Sequence, residues 1–103
     1  MTRDQLSRQL KALADPMRLR ILDLLPTEDR CEDVYNVSEL ARELGIAQPS
    51  VSHHLSVLRA ANLVRSRKMC RDVYYWIDVK KFDALMKHTA RLVDRPAALS
   101  TST

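Results

Sequence analysis

The chain has 103 residues, of which 46% are apolar, enough to build one core and too few for two. Its 17 Lys and Arg outnumber 13 Asp and Glu for a net charge of +4 and a pI near 9.4, a balance that suits phosphate-bearing partners without requiring one. No apolar run approaches the roughly 18 residues that cross a bilayer, and no basic, apolar leader follows Met1. No membrane association is expected, and a cytoplasmic location is.

Leu6, Leu10 and Leu13 recur at helical spacing and predict a first amphipathic helix over Arg3 to Ala14. Asp15-Pro16 then supplies an N-cap and a favoured first helical residue for a second helix, Met17 to Leu25, apolar on most sides and stopped by Pro26. The polar stretch Thr27 to Asn36 reads as a loop. Val37 reads as a short strand residue, and Ser38 as the cap of a third helix, Glu39 to Leu44. Gly45 is placed where the chain must turn through a left-handed residue into a fourth helix, Gln48 to Ala61, which carries Pro49 in its first turn and is closed by Asn62. Beyond Asn62 the period drops to two. Leu63 to Lys68, a turn at Met69-Cys70-Arg71-Asp72, and Val73 to Ile77 predict an antiparallel hairpin. Asp78 caps a last helix, Val79 to Val93, with Val79, Phe82, Leu85, Met86, Thr89, Leu92 and Val93 on one side. One domain over residues 1–95 is expected, followed by a flexible tail at 96–103, where nothing is available to bury.

Helix, glycine turn, helix and two-stranded ribbon make a mainly α chain with a β-hairpin, the order of a winged helix-turn-helix, whose second helix can enter a major groove about 12 Å wide. On the fourth helix Val51, Leu55 and Leu58 form an inward stripe, which turns Ser52, His53, Ser56 and Arg59 outward. Gln48 and Ser50 lie in the first turn, where side chains reach base edges, and Gln pairs bidentately with adenine. Arg65, Arg67, Lys68 and Arg71 crowd the ribbon and suit the sugar-phosphate backbone. These ten residues are the candidate DNA contacts. His54 borders the apolar side and reads as structural.

The text Val37-Ser38-Glu39-Leu40-Ala41, Gln48-Pro49-Ser50-Val51-Ser52-His53-His54-Leu55 and Leu58-Arg59-Ala60-Ala61-Asn62-Leu63-Val64 closely resembles the ArsR/SmtB family of bacterial repressors. Ala14 to Leu22 is similar to that family's second helix, and Val73-Tyr74-Tyr75 to its wing return strand. The resemblance spans about Leu10 to Val93. It implies a homodimer joined through the first and last helices, a pseudo-palindromic double-stranded DNA operator, and release by an inducer that the sequence does not name. Leu6, Leu10, Leu13, Phe82, Leu85, Met86, Thr89 and Leu92 are the candidate interface residues; independently of the resemblance, such apolar stripes need a partner surface.

Many members of that family sense metals, but their ligand positions are substituted here. The soft-metal thiol positions fall on Asn36 and Ser38, and the zinc positions of the last helix on Asp78, Lys80, Arg91 and Asp94, where two cations cannot act as imidazoles. No metal and no cofactor is expected, and His88 reads as a surface or interface residue. Cys31 and Cys70 are too distant in sequence for a C-x-x-C knuckle and read as possible sensor thiols, redox or metalloid, or as two plain thiols. Cys70 is the more notable, because Arg67, Lys68 and Arg71 favour a thiolate beside them. The hairpin tip is expected to project away from the Cys31 loop, which argues against a disulfide within one chain. Two rival functions remain. Catalysis by His53-His54 with Ser50 and Ser52 lacks a third group to orient either imidazole, and a winged protein-interaction module without DNA binding leaves the basic ribbon unexplained.

Overall fold

The computed structural model describes residues 1–94, so the tail expected at 96–103 lies outside the described residues. Five helices and one hairpin follow in the order α1 (Arg3–Leu13), α2 (Pro16–Leu24), α3 (Val37–Leu44), α4 (Gln48–Ala60), β1 (Val64–Met69), β2 (Asp72–Ile77) and α5 (Val79–Ala90).

Local chemistry fixes most of the boundaries. Thr2 and Gln5 form a reciprocal capping box at α1, and the Asp15 carboxylate accepts from the Met17 and Arg18 N–H groups ahead of α2. At α3 the cap is Asn36 rather than Ser38: its side chain accepts from the Glu39 N–H while Glu39 accepts from the Asn36 N–H. That second capping box draws Val37 into the helix, where a strand residue was expected. Gly45 ends α3 at φ 67°, and Ile46 N–H donates back to the Ala41 carbonyl at 3.1 Å. A Cβ at Gly45 would meet nothing within 4 Å, so glycine is needed here for its backbone angle and not for space. Asn62, at φ 63°, closes the helix that follows. α5 ends at Ala90, three residues before the expected Val93.

The core is organised by α4. Val51, Leu55 and Leu58, at i, i+4 and i+7, are completely buried, and they pack with Ile21, Leu40, Leu63, Val64 and Leu85 from the surrounding elements. Each such side chain contributes about 1.5–3 kcal/mol of burial. Along α5, Leu85 is fully buried within the protomer, whereas the next residue, Met86, about 100° further round the helix, is half exposed.

β1 and β2 pair antiparallel with Val64 opposite Ile77, Ser66 opposite Tyr75 and Lys68 opposite Val73. Their turn has only two central residues, Cys70 at φ 50° and Arg71 at φ 74°, both left-handed, as tight hairpins require. The segment between α2 and α3 does not stay clear of this ribbon. Ile77 N–H donates to the Pro26 carbonyl at 2.9 Å, Arg67 pairs with Asp29 at 2.6 Å, and Cys31 is joined to Cys70 by a disulfide with Cα atoms 6.5 Å apart. The expectation of no disulfide within one chain is therefore overturned. The segment runs along the ribbon from base to tip and places Cys31 beside the turn.

Candidate nucleic-acid interface

The outer side of α4 is open. Gln48, Ser50, Ser52, His53, Ser56 and Arg59 are all exposed, directly behind the buried stripe of Val51, Leu55 and Leu58. The Ser56 hydroxyl donates to the Ser52 carbonyl at 2.9 Å, which leaves its oxygen lone pairs outward as acceptors. Ala47 offers no side-chain cap, so the first turn of α4 presents its Gln48 N–H without an internal side-chain partner. His54 turns inward and is half buried, its Nδ1 3.2 Å from Arg18 Nη1, and so serves structure.

Arg18 explains how α4 is aimed. Its Nε donates to the Ala12 carbonyl at 2.6 Å, its Nη1 meets His54, and Asp15 lies 3.9 Å away, so one guanidinium joins the α1 terminus, the α2 cap and the middle of α4. The Arg18 backbone N–H is the main influence holding the Asp15 carboxyl below its ordinary range; the Met17 N–H and the charges of Arg18 and His54 act in the same direction, against partial burial. Gln9 supplies a second brace. It is buried on α1, and its Nε2 donates at 2.9 Å to the Ala61 carbonyl at the end of α4. Neither residue is a predicted site residue. A polar side chain beside an apolar helical stripe, as at Gln9, is the signal that could have found it.

The four ribbon cations are not equivalent. Directly paired residues share a face, so Lys68 lies on the side of Val73 and Tyr75, while Arg65 and Arg67 lie opposite, with Trp76 and Tyr74. Val73 and Tyr75 line a groove with Gln48 and Ser52 of α4, Val37 and Ser38 of α3 and its cap Asn36, which makes this the face adjoining α4. On the other face Arg65 stands 5.6 Å from the Trp76 ring centroid, and Arg67 is held by Asp29. Lys68 and Arg71 are exposed.

Among the expected interface residues, Met86 and Leu92 are about half exposed, and Leu6, Leu10 and Leu92 line an apolar groove with Ala14. Leu13, Phe82 and Thr89 are half buried. Leu85 must be removed from the set, because the core already covers it completely. The substituted metal positions have other duties: Asn36 caps α3 while accepting from the Ser38 hydroxyl, and Asp78 caps α5 at Lys81. His88 is half buried beside Gln9 and Lys81. No helix among the described residues is long and apolar enough to cross a membrane.

An exposed helix held behind a glycine turn and flanked by a two-stranded ribbon defines a winged helix-turn-helix protein. The bacterial regulatory protein model of the arsR family matches residues 15–66, and the chain belongs to that family. It is 40% identical over 85 residues to the nodulation protein NolR of Rhizobium meliloti, covering 82% of this chain and 63% of that one. It is 38% identical over 71 residues to the transcriptional repressor SmtB homolog of a Synechocystis strain, covering 69% and 50%. The chain thus spans half to two thirds of the length of these relatives. A solved homodimeric winged helix-turn-helix DNA-binding domain from Mycobacterium bovis, described as a possible ArsR-family regulator, superimposes with a TM-score of 0.63 at 35% identity, over 85% of this chain and 80% of that one.

Proposed function

We infer that the protein is a sequence-specific, double-stranded-DNA-binding transcriptional repressor that acts in the cytoplasm as a homodimer and catalyses no reaction. The observation that carries this reading is the two-sidedness of α4: three aliphatic residues fully buried, with hydroxyl, imidazole, amide and guanidinium groups exposed behind them. In a major groove Gln48, Ser50, Ser52 and His53 read base edges, Ser56 and Arg59 reach the flanking backbone, and the ribbon cations follow the phosphates, Lys68 and Arg71 directly and Arg65 and Arg67 from the other face of the ribbon, Arg67 when Asp29 releases it. Similarity to proteins named as repressors supports the direction of control.

Dimerisation through α1 and α5 brings two such helices to successive turns of the duplex. The half-exposed Met86 and Leu92 and the apolar groove of α1 support that interface. The test is a titration of the purified chain against a duplex carrying its own promoter and against a scrambled duplex, at several salt concentrations, with the mass in solution measured in parallel. Tight, salt-dependent preference for the promoter by a dimer is expected. Equal, weak binding to both duplexes would remove the regulator reading and leave the winged interaction module.

A further inference from the structure

The segment between α2 and α3 and the wing beside it carry opposite charge. Residues 26–36 hold four carboxylates, Glu28, Asp29, Glu32 and Asp33, against Arg30 alone, whereas residues 64–77 hold four cations, Arg65, Arg67, Lys68 and Arg71, against Asp72 alone. The two run side by side. Pro26 is bonded to Ile77 at the ribbon's base, Asp29 to Arg67 midway, and Cys31 to Cys70 at its tip, with Asn36 Nδ2 3.4 Å from the Asp72 carboxylate. An acidic strip thus occupies a cation that phosphate would otherwise take.

The ties differ in strength. The Arg67–Asp29 pair is open to solvent, with side chains 58% and 47% exposed, so salt screens it and phosphate oxygens can compete for the guanidinium. The Pro26–Ile77 bond lies at the base, where it is compatible with a moving tip. The Cys31–Cys70 bond is covalent, and no counter-ion displaces it.

We propose that Cys31 and Cys70 form a reversible redox pair whose disulfide pins the acidic segment onto the wing, so that oxidation weakens DNA binding and reduction restores it. The proposal rests on the DNA-binding reading above. Cytoplasmic thiols are held reduced, so the dithiol is the resting, operator-bound form. The oxidant class is a hydroperoxide. The exposed Cys70 thiolate attacks the distal peroxide oxygen, the O–O bond breaks, and the products are a Cys70 sulfenic acid and, after proton uptake, an alcohol or water. The Cys31 thiolate then attacks the Cys70 sulfur, the S–S bond forms, and hydroxide leaves to be protonated to water. Two electrons pass from the two sulfurs to the peroxide, and a dithiol reductant returns them by exchange.

The experiment uses the full chain, reduced with dithiothreitol or oxidised with hydrogen peroxide. Each form is checked by intact mass and on a non-reducing gel, then titrated against the promoter duplex across a salt series. The expected oxidised product has lost two hydrogens per chain and contains no interchain bond. Freeing Arg67 in both protomers makes the salt slope of the reduced form steeper by about 1.8, at about 0.9 per phosphate, and its affinity at low salt correspondingly higher. Cys31→Ser and Cys70→Ser are expected to bind as the reduced protein does and to ignore peroxide, and Asp29→Asn to strengthen the oxidised form. Equal affinity and slope in both forms, tighter binding by the oxidised form, or failure of peroxide to form the intrachain bond in protein that binds DNA normally would each overturn the proposal and leave the DNA-binding reading intact. Absence of promoter binding in either form would overturn both.

Discussion

Lys68→Ala is the most direct probe of how the wing meets DNA. Lys68 lies on the ribbon face that adjoins α4, opposite Val73, and is exposed, so on the proposed reading its ammonium neutralises one phosphate per protomer. A dimer loses two such contacts. At about 0.9 in the slope of log K against log salt for each phosphate, the variant's slope is shallower by about 1.8. Raising salt fourfold, from about 50 to 200 mM, should then narrow the affinity gap between wild type and variant by about 12-fold, on promoter and scrambled duplex alike. Fluorescence anisotropy at four or more salt concentrations measures this directly. Parallel lines for the two proteins, displaced or not, would show that Lys68 releases no counter-ion and would refute the assignment of this ribbon face to the phosphates.

Gln48→Ala should behave in the opposite way, costing about 1–3 kcal/mol on the promoter, little on scrambled DNA, and leaving the salt slope unchanged; the same titrations check it. Gly45→Ala should destabilise the fold by about 1 kcal/mol in urea unfolding, because a Cβ at φ 67° is strained even though nothing lies within 4 Å of it. A loss of several kcal/mol would point to a clash that the geometry does not contain. Asp15 links stability to pH. Its carboxyl titrates lower in the folded chain than in the unfolded one, so its contribution is complete above the ordinary carboxylate range and is lost as pH falls through the lowered folded value. Thermal melts of wild type and Asp15→Ala should therefore converge in acid and separate toward neutral pH; a separation that does not change with pH would contradict the linkage.

Most of the fold was legible because its signals are local. The spacing of Val51, Leu55 and Leu58 determines which side of α4 is buried, and Asp15-Pro16, Gly45 and Asn62 each satisfy a backbone need that few other residues meet. The errors arose where two residues compete for one task. Asn36 and Ser38 are both good caps, and Asn36 prevails because only it lies three residues before Glu39, which closes the reciprocal box. Leu85 and Met86 are both apolar, and only packing against the other elements decides which one faces inward.

The structure leaves the candidate residues of the helix exposed together and divides those of the ribbon between two faces, for one physical reason. A helix face is set by spacing within its own sequence, but the use of a strand face depends on what covers it. Alternation already places Arg65 and Arg67 on one side and Lys68 on the other. Composition alone says nothing of the segment that meets the first pair, since Asp29 lies 38 residues before Arg67 and Cys31 lies 39 before Cys70. The charges on that segment, Glu28, Asp29, Glu32 and Asp33, are opposite in sign to those of the wing but do not by themselves select it over the cations of the first two helices. On the proposed DNA-binding reading, a loop of that composition beside the ribbon competes with phosphate for the Arg67 guanidinium. If the proposal holds, the contribution of Arg67 to operator affinity depends on the loop's position, and Arg67→Ala should weaken the reduced form more than the oxidised one; equal losses in both forms would contradict it.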